Sequence, residues 1–65
     1  PGALAEYESL IRANVELETV VEDLSKIVSA NRSNAAAYRV LGDGLMRQGK
    51  LQAALETYRQ ALNQL

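Results

Sequence analysis

The side chains that most often carry out catalysis are absent from this sequence. Its 65 residues include no histidine and no cysteine, so it has neither an imidazole to move protons near neutral pH nor a thiolate nucleophile. The serines have no imidazole to activate them, and they are Ser9, Ser25, Ser29 and Ser33. Glu22 and Asp23 are adjacent, so on a helix their carboxylates point in different directions. We therefore expect no enzymatic activity, no metal site and no cofactor.

One row of charged side chains could bind a partner instead. Arg39, Asp43 and Arg47 follow one another at intervals of four residues, so on a helix they lie on the same face. One interpretation is a ladder of surface ion pairs, which stabilises a helix by a few tenths of a kcal/mol. The other is a recognition site, in which two guanidinium groups beside a carboxylate bind an acidic or amide-rich segment. The sequence leaves both interpretations open.

The helices that position this row are predicted from the spacing of apolar residues. Between Tyr38 and Leu65 these residues recur every three or four positions. Gly49 interrupts them where a helix should end, because glycine adopts the left-handed conformation at little cost. The same reasoning along the whole chain predicts helices over residues 3–13, 17–30, 35–48 and 51–64. Either Ser33 or Asn34 is expected to cap the third helix.

Bulky and small side chains alternate in a characteristic order in the second half of the chain. The residues that carry this order are Tyr38, Leu41, Gly42, Leu45, Gly49, Ala54, Tyr58 and Ala61. The order resembles that of a tetratricopeptide (TPR) repeat, a helix-turn-helix unit of about 34 residues. The resemblance covers residues 35–65, and a degenerate copy of the pattern occupies residues 1–34. It implies an all-α fold in a single domain, residues 1–65, whose two helix-turn-helix repeats place four antiparallel helices in a fragment of a right-handed solenoid.

The first repeat and the link after it depart from the TPR pattern. Glu8 stands where the second repeat has Gly42, and Val20 and Ile27 stand where it has alanine. These larger side chains are expected to hold the first pair of helices further apart or to pack them at a shifted angle. Arg32 occupies the position where TPR repeats usually carry proline. Because nothing then forces the second helix to stop, an alternative fold fuses the second and third helices in a domain-swapped dimer.

Gly44 is a further departure, since the family favours alanine at this position in the third helix. Glycine inside a helix costs about 1 kcal/mol relative to alanine. The sequence therefore predicts that Gly44→Ala stabilises the fold by roughly 0.5–1 kcal/mol.

The resemblance also implies a binding surface. In TPR domains the first helices of successive repeats line a concave groove that binds peptides or partner helices. The groove positions in this chain are Ala5, Ser9, Arg12, Arg39, Asp43, Met46 and Arg47. The family's carboxylate clamp for chaperone C-terminal tails needs lysine and asparagine where this chain has Ala5 and Ser9, so that activity is not expected. The implied function is a module that binds a protein or peptide partner without chemical turnover.

The fourth helix has an apolar end face that no further repeat follows. The residues of this face are Leu55, Tyr58, Leu62 and Leu65. An apolar stripe of this kind usually marks an interface, and two short repeats bury only a small core. We therefore expect a homo-oligomer, most simply a dimer in which two end helices pack around a twofold axis. A self-associating structural unit is accordingly an alternative function.

Charge weighs against nucleic acid and membrane partners. The net charge is −1, so there is no general attraction to polyanions, and no apolar run approaches the roughly 20 residues that span a bilayer. Residues 1–31 contain six acidic and two basic residues, whereas residues 32–65 contain two acidic and five basic residues. This asymmetry suits pairing of two copies, acidic half to basic half, and a less favoured alternative is a helical repeat that binds nucleic acid. Because the chain begins with Pro1 rather than methionine, we expect it to be a fragment of a larger protein.

Overall fold

Four α-helices account for most of the chain. The computed structural model describes the backbone of residues 2–64 and the side chains of residues 4–64. The helices are α1 (Gly2–Ala13), α2 (Leu17–Ala30), α3 (Ala35–Arg47) and α4 (Leu51–Asn63), and the described backbone contains no strand. The prediction of four helices in an all-α fold is therefore confirmed, with each end within one residue of its expected position. None of the helices in the described range is long and apolar enough to cross a membrane.

Turn chemistry that can be read from the sequence ends two of the helices. Gly49 takes the left-handed conformation after α3, with a φ of 80°. The N–H groups of Gly49 and Lys50 donate to the carbonyls of Met46 and Leu45 at 3.0 and 2.9 Å, which satisfies carbonyls that the helix itself leaves unpaired. Asn14, with a φ of 56°, follows α1 in the same left-handed conformation.

The break between α2 and α3 is a capped turn. Asn31 leaves the helical conformation at φ −139° and ψ 83°, and Asn34 caps α3 by accepting a hydrogen bond from the N–H of Ala37 at 3.1 Å. Ser33, the other cap candidate, donates to the Asn31 side chain at 3.1 Å. In this chain α2 and α3 are therefore separate helices, although proline is missing at Arg32.

Helix α3 lies at the centre of the packing. It contacts α1, α2 and α4, whereas α4 contacts no other described helix. The buried apolar residues come from all four helices and are Ile11, Val20, Val21, Leu24, Val28, Ala37, Val40, Leu41, Leu45 and Ala54. The contact between α3 and α4 is the most extensive and that between α1 and α2 the least.

Gly44 has a packing role that its position in the sequence did not reveal. A Cβ atom at Gly44 would lie 2.8 Å from Cγ2 of Val21 and 3.4 Å from Cδ1 of Ile11. Val21 is buried in the core and has only one side-chain torsion with which to move away. This geometry argues against the prediction that Gly44→Ala stabilises the fold, because the absent side chain is what lets α3 approach α2.

Candidate functional site

A cleft of about 390 Å³ lies between α1 and α3 and is called here the α1/α3 cleft. Its lining residues combine charged heads with apolar contact area, and they are Glu8, Ile11, Arg12, Asp43, Met46, Arg47 and Tyr58. Met46 is 45% exposed, so it offers a flexible apolar contact to anything that enters the cleft. Helical spacing puts these side chains on the facing sides of α1 and α3, while Tyr58 reaches the cleft from α4.

Both carboxylates of the cleft are already engaged by Arg39, which stands at its edge. The Arg39 Nη1 atom donates to Oε2 of Glu8 at 3.2 Å and lies 3.5 Å from Oδ2 of Asp43. The three side chains are one-third to one-half exposed, so the ion pairs add at most about 1 kcal/mol to stability. Their larger effect is on the charge of the cleft, because the Arg39 guanidinium offsets one of the two negative charges and is shared between both carboxylates.

Tyr58 engages Asp43 from the other side. Its hydroxyl donates a hydrogen bond to Oδ1 of Asp43, and its ring packs over Gly42. Partial burial, the hydrogen bond to Asp43 and the negative charge of Asp43 together raise the pKa of Tyr58 from 10.0 to about 12, although Arg39 acts in the opposite direction. Tyr58 is therefore a neutral donor near neutral pH, and Asp43 is held by two partners.

Arg12 and Arg47 are the charged groups that remain open to a ligand. Both side chains are exposed and line the cleft, and neither forms an ion pair with another side chain of residues 4–64. The carboxylates of Glu8 and Asp43 are shared with Arg39, so the cleft and its edge carry one net positive charge. An approaching ligand meets two guanidinium groups with free donors, and guanidinium is suited to binding carboxylates in pairs of parallel hydrogen bonds.

The structure brings together only part of the predicted groove. Arg12, Asp43, Met46 and Arg47 line one cleft, and Arg39 stands at its edge. The other two positions, Ala5 and Ser9, are exposed on α1 but do not line the cleft.

Sequence reasoning missed three lining residues, which are Glu8, Ile11 and Tyr58. In the sequence, Glu8 differs from the repeat pattern only as a larger residue in place of glycine. Its pairing with Arg39 spans 31 residues of sequence, and no local spacing signals a contact of that kind.

Similarity to known proteins does not assign the site. No protein-family model, no curated protein and no solved structure matches the chain. The functional argument therefore depends on the geometry of the cleft and of the surface of α4.

The predicted end face on α4 is open for two of its four residues. Leu55 and Leu62 are 62% and 68% exposed, whereas Tyr58 is half-buried against α3. Leu65 lies outside the described residues. Leu51, which was not assigned to this face, is also exposed, at 57%.

A second cleft, called here the α3/α4 cleft, adjoins this face and has a volume of about 460 Å³. It is almost wholly apolar, and its lining residues are Ala35, Ala36, Arg39, Tyr58, Ala61 and Leu62. The short side chains of Ala35 and Ala36 on α3 leave space in this cleft and add no polar group. The cleft therefore suits an apolar side chain of a partner. Within the described range, no three side chains of the metal-ligating types converge on either cleft.

Proposed function

We propose that this chain is a TPR-type protein-interaction module that binds an acidic segment of a partner protein in the α1/α3 cleft, without chemical turnover. The observation that carries the proposal is the division of charge in the cleft. Glu8 and Asp43 are occupied by Arg39 and Tyr58, while Arg12 and Arg47 keep their donors free. A carboxylate-bearing ligand gains both guanidinium groups and displaces neither internal pair.

The TPR architecture is supported by the way the second pair of helices packs. Gly42 and Ala54 are buried in the contact between α3 and α4, Tyr58 fills the space above Gly42, and Gly49 forms the turn. These are the roles that the small, bulky and turn positions of a helix-turn-helix repeat require. In the proposed arrangement, α1/α2 and α3/α4 are two repeats of antiparallel helices, and α1 and α3 line the concave side of a right-handed solenoid.

A partner for this cleft needs apolar as well as acidic side chains. Met46 and Ile11 contribute apolar atoms to the same lining as the two free arginines. Carboxylates alone would bind weakly, because ion pairs at this exposed site are screened by salt. An acidic segment that also carries leucine or a similar residue would bury Met46 and gain the larger, salt-independent part of its affinity.

Nucleic acid is the less favoured ligand. Binding to phosphates uses arginines and lysines collectively, but Arg39 is paired with Glu8 and Asp43 and is not free to contribute.

Peptide titration tests the proposal. A labelled peptide made of glutamate and leucine should bind the wild-type chain, and a peptide made of lysine and leucine should not. Replacing Arg12 and Arg47 by alanine should weaken binding at least about tenfold, as expected for the loss of charge-assisted hydrogen bonds.

A matched control removes the same charge elsewhere. Arg32 and Lys50 are exposed and lie outside the cleft, so the variant with alanine at both should keep its affinity. Equal weakening by both double variants would show a general charge effect and contradict a site at the cleft. Binding to single-stranded RNA that falls steeply with salt, with no binding of the acidic peptide, would favour the nucleic-acid alternative.

A further inference from the structure

The exposed side of α4 carries the spacing of a coiled-coil seam. Leu51, Leu55, Tyr58 and Leu62 follow one another at steps of four, three and four residues, which is the alternation that keeps one apolar stripe along a helix. The three leucines are 57%, 62% and 68% exposed. Since α4 contacts only α3 among the described helices, the three leucines are open to a partner, whereas Tyr58 is half-buried and its ring packs on Gly42 of α3. These four residues are called here the α4 seam.

The spacing of the α4 seam is close to symmetric about Tyr58. Leu55 lies three residues before it and Leu62 lies four residues after it. An inverted copy of α4 therefore places its Leu55 opposite Leu62 and its Leu62 opposite Leu55. We propose that a second copy of this chain covers the α4 seam, in an antiparallel pair of α4 helices related by a twofold axis near Tyr58.

The charges beside the α4 seam suit this arrangement. Glu56 and Arg59 lie on the same side of α4, 3.4 Å apart, and both are about two-thirds exposed. With Leu55 opposite Leu62, Arg59 of the second copy lies within about 3 Å, along the helix axis, of the level of Glu56. Glu56 of each copy then faces Arg59 of the other copy. These four side chains together carry no net charge.

The α3/α4 cleft supplies the space for the leucines that cross the interface. Leu62 forms one wall of that cleft, and Ala35 and Ala36 form the opposite wall. Leu55 of the second copy, lying opposite Leu62, is at the mouth of this cleft. The contact between α4 helices thereby extends onto α3, and the leucine is enclosed as a knob between helices.

Head-to-tail stacking, with α1 of the next copy on α4, fits less well. On α3, Gly44 lies against Val21 of α2 and Ile11 of α1, and the buried Val40 is four residues before it on the same face. At the corresponding positions, 34 residues earlier, α1 has Glu6 and Leu10. In such a stack, the Glu6 carboxylate would take the place of the apolar Val40 side chain. Leu10 would stand where Gly44 allows the helices to approach closely, so packing of α1 from a second copy on α4 is disfavoured.

The proposed dimer is independent of the α1/α3 cleft. Of the seam residues only Tyr58 also lines the α1/α3 cleft, and its ring is already packed against Gly42. Arg39, which lines the α3/α4 cleft, stands only at the edge of the α1/α3 cleft and is paired there with Glu8 and Asp43. A dimer would thus carry two accessible clefts, and a partner with two acidic segments would bind it more tightly than a single segment would.

Molar mass in solution is the first test of this dimer. At high micromolar concentration the wild-type chain should have the mass of two copies, and Leu62→Lys should weaken association at least about tenfold. Gln60→Lys adds the same charge to the exposed side of α4 outside the seam and should leave the mass unchanged. Circular dichroism checks that the variants remain helical, which is expected because both residues are exposed. A monomeric wild-type chain, or a dimer that Leu62→Lys leaves intact, would overturn the proposal.

Disulfide crosslinking tests the antiparallel register, and the chain has no cysteine to interfere. A mixture of Leu55→Cys and Leu62→Cys chains should crosslink on mild oxidation, whereas either variant alone should crosslink much less. Efficient crosslinking of Leu55→Cys to itself would indicate parallel helices and would refute the twofold arrangement described above.

Discussion

The ring of Tyr58 lies in the space that a side chain at Gly42 would occupy. A Cβ atom built on Gly42 would be 2.6 Å from Cε1 and 2.8 Å from Cδ1 of the ring, distances that van der Waals contacts do not allow. The next residue, Asp43, accepts the hydrogen bond of the Tyr58 hydroxyl. Two consecutive residues of α3 thus position one side chain of α4: the first by leaving space and the second by binding its polar end.

Gly42→Ala should therefore destabilise the protein. Alanine favours a helix by about 1 kcal/mol over glycine, but overpacking a fitted contact costs about 1–3 kcal/mol, and the ring cannot move without losing Asp43. We expect a lower midpoint of unfolding in urea. In a Tyr58→Leu background, which lacks Cε1 and Cζ, the same substitution should cost less or stabilise. Equal effects in the two backgrounds would mean that the Tyr58 ring makes no steric contact with a side chain at residue 42.

Gly44→Ala should lower the free energy of unfolding by about 1 kcal/mol. The cost of overpacking the core exceeds the gain from the higher helix propensity of alanine by about that amount. The physical reason is the 2.8 Å separation between the added Cβ and Cγ2 of Val21. Shortening Val21 to alanine removes that obstacle, so Gly44→Ala in a Val21→Ala background should raise stability. Urea denaturation of the wild type, the two single variants and the double variant gives the coupling free energy between residues 21 and 44. If Gly44→Ala stabilised the wild-type chain, α2 and α3 would have to move apart at little cost.

Comparison of Gly49 with Gly44 shows where sequence reasoning works and where it fails. Helix bounds were predicted to within one residue because the signals are local: Asn34 caps a helix through a residue three positions away, and Gly49 ends one through its own backbone conformation. The role of Gly44 depends on Val21 of another helix and on how closely α3 approaches α2. A propensity scale contains no information about that distance.

The same limit applies to the candidate site. The row of Arg39, Asp43 and Arg47 is a property of one helix and was predicted from spacing. Which of its members stay free was decided by Glu8 on α1 and Tyr58 on α4. Arg39 and Asp43 form the ion pair of the ladder interpretation, whereas Arg47 remains open for the recognition interpretation.

Tyr58 should make stability fall at high pH. Its pKa is raised from 10.0 to about 12 in the folded chain, so the folded state holds the proton more tightly than the unfolded state. This contribution is complete below pH 10 and is lost as the pH rises through 12, where an ionised Tyr58 no longer donates to Asp43 and repels it. We expect the urea midpoint of the wild type to decline over this range more than that of Tyr58→Phe.

Difference absorbance between the wild type and Tyr58→Phe isolates the ionisation of this one tyrosine. Its midpoint in the folded protein should lie near 12. A midpoint near 10, the ordinary value for tyrosine, would show that the hydroxyl is solvated and that Asp43 is free to bind other groups.

Arg32→Pro should stabilise the chain by roughly 0.4–1 kcal/mol. Arg32 is exposed in the turn between α2 and α3, which Asn34 closes by donating its N–H to the carbonyl of Asn31 at 3.3 Å. The N–H of Arg32 donates to no backbone carbonyl within the described residues, so proline removes no hydrogen bond, and the second position of such a turn favours it. The gain comes from the smaller conformational freedom of the unfolded chain.

Ser33→Pro is the matched control, because proline at the third position of the turn restricts the preceding residue and should destabilise. The Arg32→Pro chain should also keep the molar mass of the wild type, since the α4 seam is untouched and α2 and α3 are already separate. A shift from dimer to monomer in this variant alone would have a different physical meaning. It would show that wild-type dimers contain a continuous helix through residues 31–34, which proline breaks, and hence that the copies exchange helices instead of packing α4 against α4.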